Sequence, residues 1–176
     1  MVTNFQFNVY SDYESTKSAI LEAAQKNRCR ATTKGDEISF KMSPFFGSFK
    51  VSFLLYIADK ENFCTVRIML QGNEKIKARM KVYDKFLTSL ISSGLMITAE
   101  PGTYRIVSAT MIGDGTEQRF TNRLGGVATN MTKSKVKTVL AKNVTFSIHY
   151  SNGMIEEKEV KRNSKLFSEL MAKLDS

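Results

Sequence analysis

The sequence predicts an α+β fold, and three observations carry that expectation. Apolar residues alternate with polar ones at residues 4–10 and again at 38–57, the period of a strand with one buried face. Between Glu74 and Ser93 they recur instead at steps of 4, 3, 4 and 3 (Ile76, Met80, Tyr83, Leu87, Leu90), the period of a helix with one apolar stripe. After residue 98 a second series of short strand-like runs ends in leucines spaced by four. The predicted architecture is an N-terminal antiparallel sheet of about four strands backed by two helices, in the order β-α-β-β-β-α over residues 1–97. A small curved β-sheet or barrel-like unit closed by a C-terminal helix follows over 98–176.

The first strand buries Phe5, Phe7 and Val9. Ser11-Asp12-Tyr13-Glu14 matches a capping box, in which Ser11 satisfies the third helical N–H and Glu14 reaches back, and the helix runs to about Asn27 through Ile20 and Ala24. From Cys29 to Leu70 three or four antiparallel strands are expected, with turns at Gly35-Asp36, at Ser43 to Gly47 and at Asp59 to Asn62. Phe49, Val51, Phe53, Leu55 and Ile57 line one face of a central strand, and Leu54 and Tyr56 predict that its far side is covered as well. Gly94 stops the second helix.

Glu100-Pro101-Gly102 turns the chain into the second unit. Tyr104 to Ile112 reads as a strand, Gly113-Asp114-Gly115 as a tight turn, and residues 117–121 are expected to pair back across it. Leu124 to Thr132 reads as loop. Val136 to Leu140, Val144 to Tyr150 and Met154 to Arg162 read as strands, the last two joined by Ser151-Asn152-Gly153, because an Asn-Gly pair tolerates positive φ. Asn163 or Ser164 caps a final helix whose Leu166, Leu170 and Leu174 face inward.

Chemistry-bearing residues are few. His149 is the sole histidine and Cys29 and Cys64 the sole cysteines, so a two-histidine metal site and a typical structural zinc site both fail on ligand count. A Cys-His pair would have to bridge the two predicted units, and both thiols are expected to be reduced and buried. The glycines of 124–134 lack the spacing of a phosphate-binding loop, since Thr132 precedes Lys133 where glycine is required. Gly113-Asp114-Gly115 lacks the spaced acids of a calcium loop. No catalytic residues, cofactor or metal are therefore expected, and the chain does not read as an enzyme. The first residues carry no basic-then-apolar leader, and no apolar run approaches the ~20 residues of a membrane span; the expectation is a soluble, cytoplasmic protein.

Charge is the informative feature. Twenty-six Lys and Arg against seventeen Asp and Glu give +9, spread over both halves, and such a field favours anionic partners. Between Arg119 and Lys142 lie six basic residues and no acid. Within that stretch Lys133, Lys135 and Lys137 alternate, so on a strand they share one face at roughly 6.6 Å spacing, close to the separation of phosphates along a nucleic-acid strand; a lysine-protected edge strand is the plainer explanation. Lys77, Lys81 and Lys85 form a second ladder at i, i+4, i+8 on the helix face away from the stripe, with Arg79 at its margin, a pattern that solvated helix faces also show. The candidate anion-binding residues are thus Arg119, Arg123, Lys133, Lys135, Lys137, Lys77, Lys81 and Lys85. The loop Ser43 to Phe49 carries three phenylalanines that either fold back over the core or stack on a partner.

The leading expectation is a non-enzymatic binding or interaction module whose basic surface meets nucleic acid, an acidic protein or a lipid headgroup. One alternative is a small-molecule or lipid binder, conceivably an enzyme, with an apolar pocket between the first sheet and helix 74–93. The other is an assembly protein that self-associates through an edge strand.

Overall fold

The computed structural model describes residues 2–44, 49–122 and 134–174, and their side chains except those of 118–122 and 134–137. The expected loop at 124–132 and the aromatics Phe45 and Phe46 lie outside the described residues. The protein is α+β: ten strands and three helices are described, and its sheets do not close into a barrel. The chain divides into two compact units. Unit 1 holds residues 1–107 and 149–156, and unit 2 holds 108–148 and 157–176.

In unit 1, β1 (Val2–Val9), β2 (Thr32–Lys34), β3 (Glu37–Met42), β4 (Val51–Asp59) and β5 (Cys64–Gln71) form an antiparallel run in the order β2-β3-β4-β5-β1. Long β4 and β5 zip together from Ser52↔Gln71 to Asp59↔Cys64. The predicted alternation holds, with Phe5, Phe7, Val9, Ile38, Phe40, Met42, Val51, Phe53, Leu55 and Ile57 all buried. Helices α1 (Tyr13–Lys26) and α2 (Ile76–Ile91) cover that face with Ala19, Ile20, Ala23 and Ala24 and with Met80, Tyr83, Phe86, Leu87 and Leu90. The last element of unit 1 is a tight hairpin turn at Ser151 to Gly153, leading into β10 (Met154–Lys161), whose first residues pair with β1 at Phe5↔Met154.

Several local expectations are corrected. The cap of α1 is Asp12, not Ser11: its carboxylate accepts from the Ser15 N–H at 2.8 Å and from the Ser15 hydroxyl at 2.7 Å, and these bonds hold its pKa below the usual carboxylate value. Cys29 is not in a strand, although Cys64 is. Tyr56 is exposed and Leu54 only half-buried, so the far face of β4 is not covered there. Ile76 at the start of α2 is exposed and lies off the buried stripe.

Unit 2 contains most of β6 (Ile106–Ile112), β9 (Asn143–Tyr150) and β10, with β9 between the other two, the separate ribbon of β7 (Thr116–Asn122) and β8 (Ser134–Leu140), and α3 (Lys165–Met171). Among the described residues its core holds Ala109, Val144, Phe146, Ile148, Val160 and Leu170. Ser164 caps α3, accepting from the Phe167 N–H at 3.1 Å. Strand β7 does not pair back across Gly113-Asp114-Gly115; it pairs with β8 from Thr116↔Leu140 to Asn122↔Ser134. Both glycines have positive φ, and the Arg162 guanidinium donates to the carbonyls of Gly115 at 2.6 Å and Ala141 at 3.0 Å, holding the start of β7 beside the end of β8.

Candidate functional site

A cleft of about 1130 Å³ opens in unit 1 at the end of α1. Its origin is local. Helix α1 ends in a Schellman turn: the Arg28 N–H donates to the Gln25 carbonyl at 2.8 Å and the Cys29 N–H to the Ala24 carbonyl at 2.9 Å. The Asn27 side-chain amide donates to Ala23 O and to Ser89 Oγ, both at 2.8 Å, and so ties this end of α1 to α2. The connector then reaches the sheet only at Thr32, where pairing with β3 begins at Thr32↔Ser39. Phe40, Lys41 and Met42 therefore have a strand neighbour on the β4 side alone, and the space between them and the departing connector is the cleft.

Its lining is one-signed. Among the described residues six cations face it, from four chain segments: Lys26, Arg28 and Arg30 around the end of α1, Lys41 on β3, Lys50 before β4 and Lys85 on α2; none of the described Asp or Glu lines it. All six are exposed. Lys26 is engaged by Glu22 at 2.9 Å, an exposed pair of the kind that contributes little. Among the described residues no carboxylate is within ion-pair distance of the other five. The Lys85 ammonium donates to the Pro44 carbonyl at 3.4 Å. Thr32, Ser39, Ser43 and Ser52 add hydroxyls. Phe40 and Phe53 form part of the wall but are 4% and 1% exposed, so their rings are spent on the core.

Cys29 sits in this lining, half-buried. Burial pushes its thiol pKa up, and the positive charges of Lys85 and Lys50 pull it part of the way back. A smaller hollow of about 580 Å³ between Tyr10–Asp12 and Asp59–Phe63 carries Asp12, Asp59 and Glu61 against one lysine, so the two hollows differ in sign. Among the described residues no group of three or more His, Cys, Asp and Glu is placed to hold a metal ion, and no helix is long and apolar enough to cross a membrane.

The predicted site residues fall into three sets. Lys77, Lys81 and Lys85 are all exposed on α2, but only Lys85 reaches the cleft. Arg79 is not at the margin of that ladder: it is 1% exposed, turned into the protein. On the ribbon of unit 2, backbone register sets Arg119 across from Lys137 and Thr121 across from Lys135, positions of one parity; Arg123 and Lys133 lie outside the described residues. The cleft itself was not anticipated, although a signal exists. Residues 23–35 contain four cations and 38–58 two more, with no acid in either stretch, and Asp36-Glu37 at the turn between them divides the run.

Arg28 gives a direct test. It is the one non-glycine residue with positive φ among those described, at 57°, a conformation that costs an L-residue roughly 1–2 kcal/mol and glycine almost nothing. Glycine is the usual residue at this point of a Schellman turn. Arg28→Gly is expected to raise stability, or leave it level where glycine's greater chain entropy offsets the relief, while weakening the affinity of the cleft for anions. Thermal unfolding read beside a binding isotherm separates the two effects, and arginine kept for local stability alone would show no change in the isotherm.

No family model, no curated protein and no solved structure matches this chain.

Proposed function

We propose that the protein is a non-enzymatic binding module and that the cleft at the end of α1 is where an anionic partner is held. One observation carries this reading: six cations converge on a concave surface to which none of the described residues contributes a carboxylate. Lys26 is paired with Glu22, but the other five have no described carboxylate within ion-pair distance; such like charges repel one another, and an anion in the cleft relieves that repulsion while accepting charge-assisted hydrogen bonds. The helix-end role of Lys26 and Arg28, whose charges suit the negative end of α1, accounts for two of the six and leaves Arg30, Lys41, Lys50 and Lys85 unexplained.

The test uses long-chain inorganic polyphosphate as a general polyanion. Affinity is expected to fall steeply, by more than tenfold, between roughly 50 and 200 mM salt, as counterion release requires. The triple substitution Arg30→Ser, Lys41→Ser, Lys85→Ser, all at exposed positions, is expected to weaken binding by roughly a hundredfold, on the scale of one lost charge-assisted contact or more. The parallel variant Lys133→Ser, Lys135→Ser, Lys137→Ser measures the ribbon. Loss with the second set alone would move the site to unit 2, and salt-independent affinity indifferent to both would end the anion reading.

A further inference from the structure

Resting on that reading, we infer that the cleft is built for a compact, freely soluble polyphosphate of about three phosphate groups, and not for the backbone of a nucleic-acid strand. The charge is arranged around a hollow and not along a line. Lys26, Arg28, Arg30, Lys41, Lys50 and Lys85 come from four segments that surround one hollow. A strand of nucleic acid is followed by a track of cations with aromatic platforms for its bases. A surround closes on a cluster of charge.

Among the described residues the wall offers no stacking surface. Phe40 and Phe53 are the aromatic ones of these that line the cleft, and they stack on each other at 4.8 Å and lean on Phe86 at 5.6 and 5.3 Å. Buried in this way, neither presents a ring face to a base. The Asn27 amide, the kind of group that reads base edges, is already committed to Ala23 O and Ser89 Oγ.

Charge and size then set the number of phosphates. Five cations have no carboxylate within ion-pair distance among the described residues, and a sixth is held by Glu22. A phosphate monoester carries about −1.5 to −2 at neutral pH and an inner phosphate of a condensed chain less, so about three groups offset most of the charge in the cleft. Its 1130 Å³ slightly exceeds the roughly 300–1,000 Å³ of small-ligand sites, leaving room for bound water or an organic group attached to the phosphates. The hydroxyls of Ser39 and Ser52 and the guanidinium groups of Arg28 and Arg30 offer the short donors that phosphate oxygens accept.

The experiment measures binding of orthophosphate, pyrophosphate and tripolyphosphate to the full chain by calorimetry at constant ionic strength, with a twenty-nucleotide oligo-dT in a parallel titration. Each added phosphate is expected to tighten binding by roughly tenfold, the scale of one further charge-assisted contact. The triple variant Arg30→Ser, Lys41→Ser, Lys85→Ser should abolish that gradient, and the single exposed substitution Lys85→Gln should blunt it. Alkylation gives an independent readout: tripolyphosphate should slow the reaction of Cys29 several-fold, because it covers the thiol and cancels the two ammonium charges that favour the thiolate. Cys64, fully buried on β5, should not respond. Short phosphates that bind without a gradient, while oligo-dT binds tightly through the same three residues, would overturn the compact-ligand inference and leave the anion cleft standing. If neither short phosphates nor oligo-dT responds to the triple variant, the cleft reading fails with it. Vesicles carrying phosphatidic acid, tested beside tripolyphosphate, distinguish a lipid headgroup from a soluble ligand; tighter binding to the vesicles would count against the soluble source.

Discussion

Phe86→Ala is expected to lower the melting temperature by roughly 10 °C, following a loss of about 3–5 kcal/mol for an aromatic ring deleted from a packed core. Phe86 is fully buried on α2, and its ring meets those of Phe40 and Phe53, which themselves stack. Removing it empties the place where α2 grips the sheet, and it also frees the two rings that form part of the cleft wall. Anion affinity should therefore fall along with stability. Phe86→Leu keeps most of the volume and should cost less than about 1.5 kcal/mol. A thermal scan of the three proteins decides the matter: a melting temperature unchanged by the alanine would show that this ring cluster does not organise unit 1.

Gly153→Ala should be nearly as damaging, by about 3 kcal/mol, for two reasons that add. Gly153 has φ 84°, and an alanine there bears the roughly 1–2 kcal/mol cost of left-handed backbone. Its Cβ would also stand 2.8 Å from the Gln6 carbonyl oxygen and 3.4 Å from the Tyr83 hydroxyl, a contact with rigid backbone on the scale of core overpacking, about 1–3 kcal/mol. The turn is held by buried bonds: the Gln6 N–H donates to the Gly153 carbonyl at 2.7 Å and the Tyr83 hydroxyl to the Asn152 carbonyl at 2.8 Å, with Tyr83 stacked on Phe5 at 3.8 Å. Burial and the nearby Asp84 charge keep Tyr83 protonated, its pKa well above the ordinary tyrosine value, so this bond persists through the neutral and mildly alkaline range. Gly102→Ala is the control. Gly102 also has positive φ, at 75°, but nothing lies within 4 Å of the added carbon, so only the conformational cost applies. Hydrogen exchange at the Gln6 amide should accelerate in the first variant and not in the second; equal behaviour would mean that the close approach to β1 carries no energy.

How much of this was legible in the chain varies with the range of the interaction. Phe5, Phe7 and Val9, and Val51 through Ile57, announce their strands because burial of one sheet face imposes alternation directly on neighbouring residues, whereas Phe49 lies just before its strand. Met80, Tyr83, Leu87 and Leu90 announce α2 in the same way. Ser164 is a cap in sequence and in structure. The cap of α1 was harder. Ser11 and Asp12 are adjacent capping residues, and only the reach of Asp12 to the N–H and hydroxyl of Ser15 separates them. Arg79 stands beside an exposed lysine ladder in sequence, yet a rotation of 100° per residue carries it to the buried side of α2.

The sequence by itself determined the class of fold, the faces that are buried and the excess of positive charge, because each of these follows from residues near one another or from composition. It did not determine where the charge is focused. Lys26, Arg28 and Arg30 become neighbours of Lys41, Lys50 and Lys85 only when the Schellman turn at Arg28 swings the connector away from β3 and α2 packs beside the end of α1. Likewise β7 takes β8 as its partner, and Gly153 settles under β1, through contacts between segments far apart in the chain. Periodicity reports what one element does with its own two sides; which elements then meet is decided by packing and hydrogen bonding among all of them at once, and that information is not carried by any local stretch.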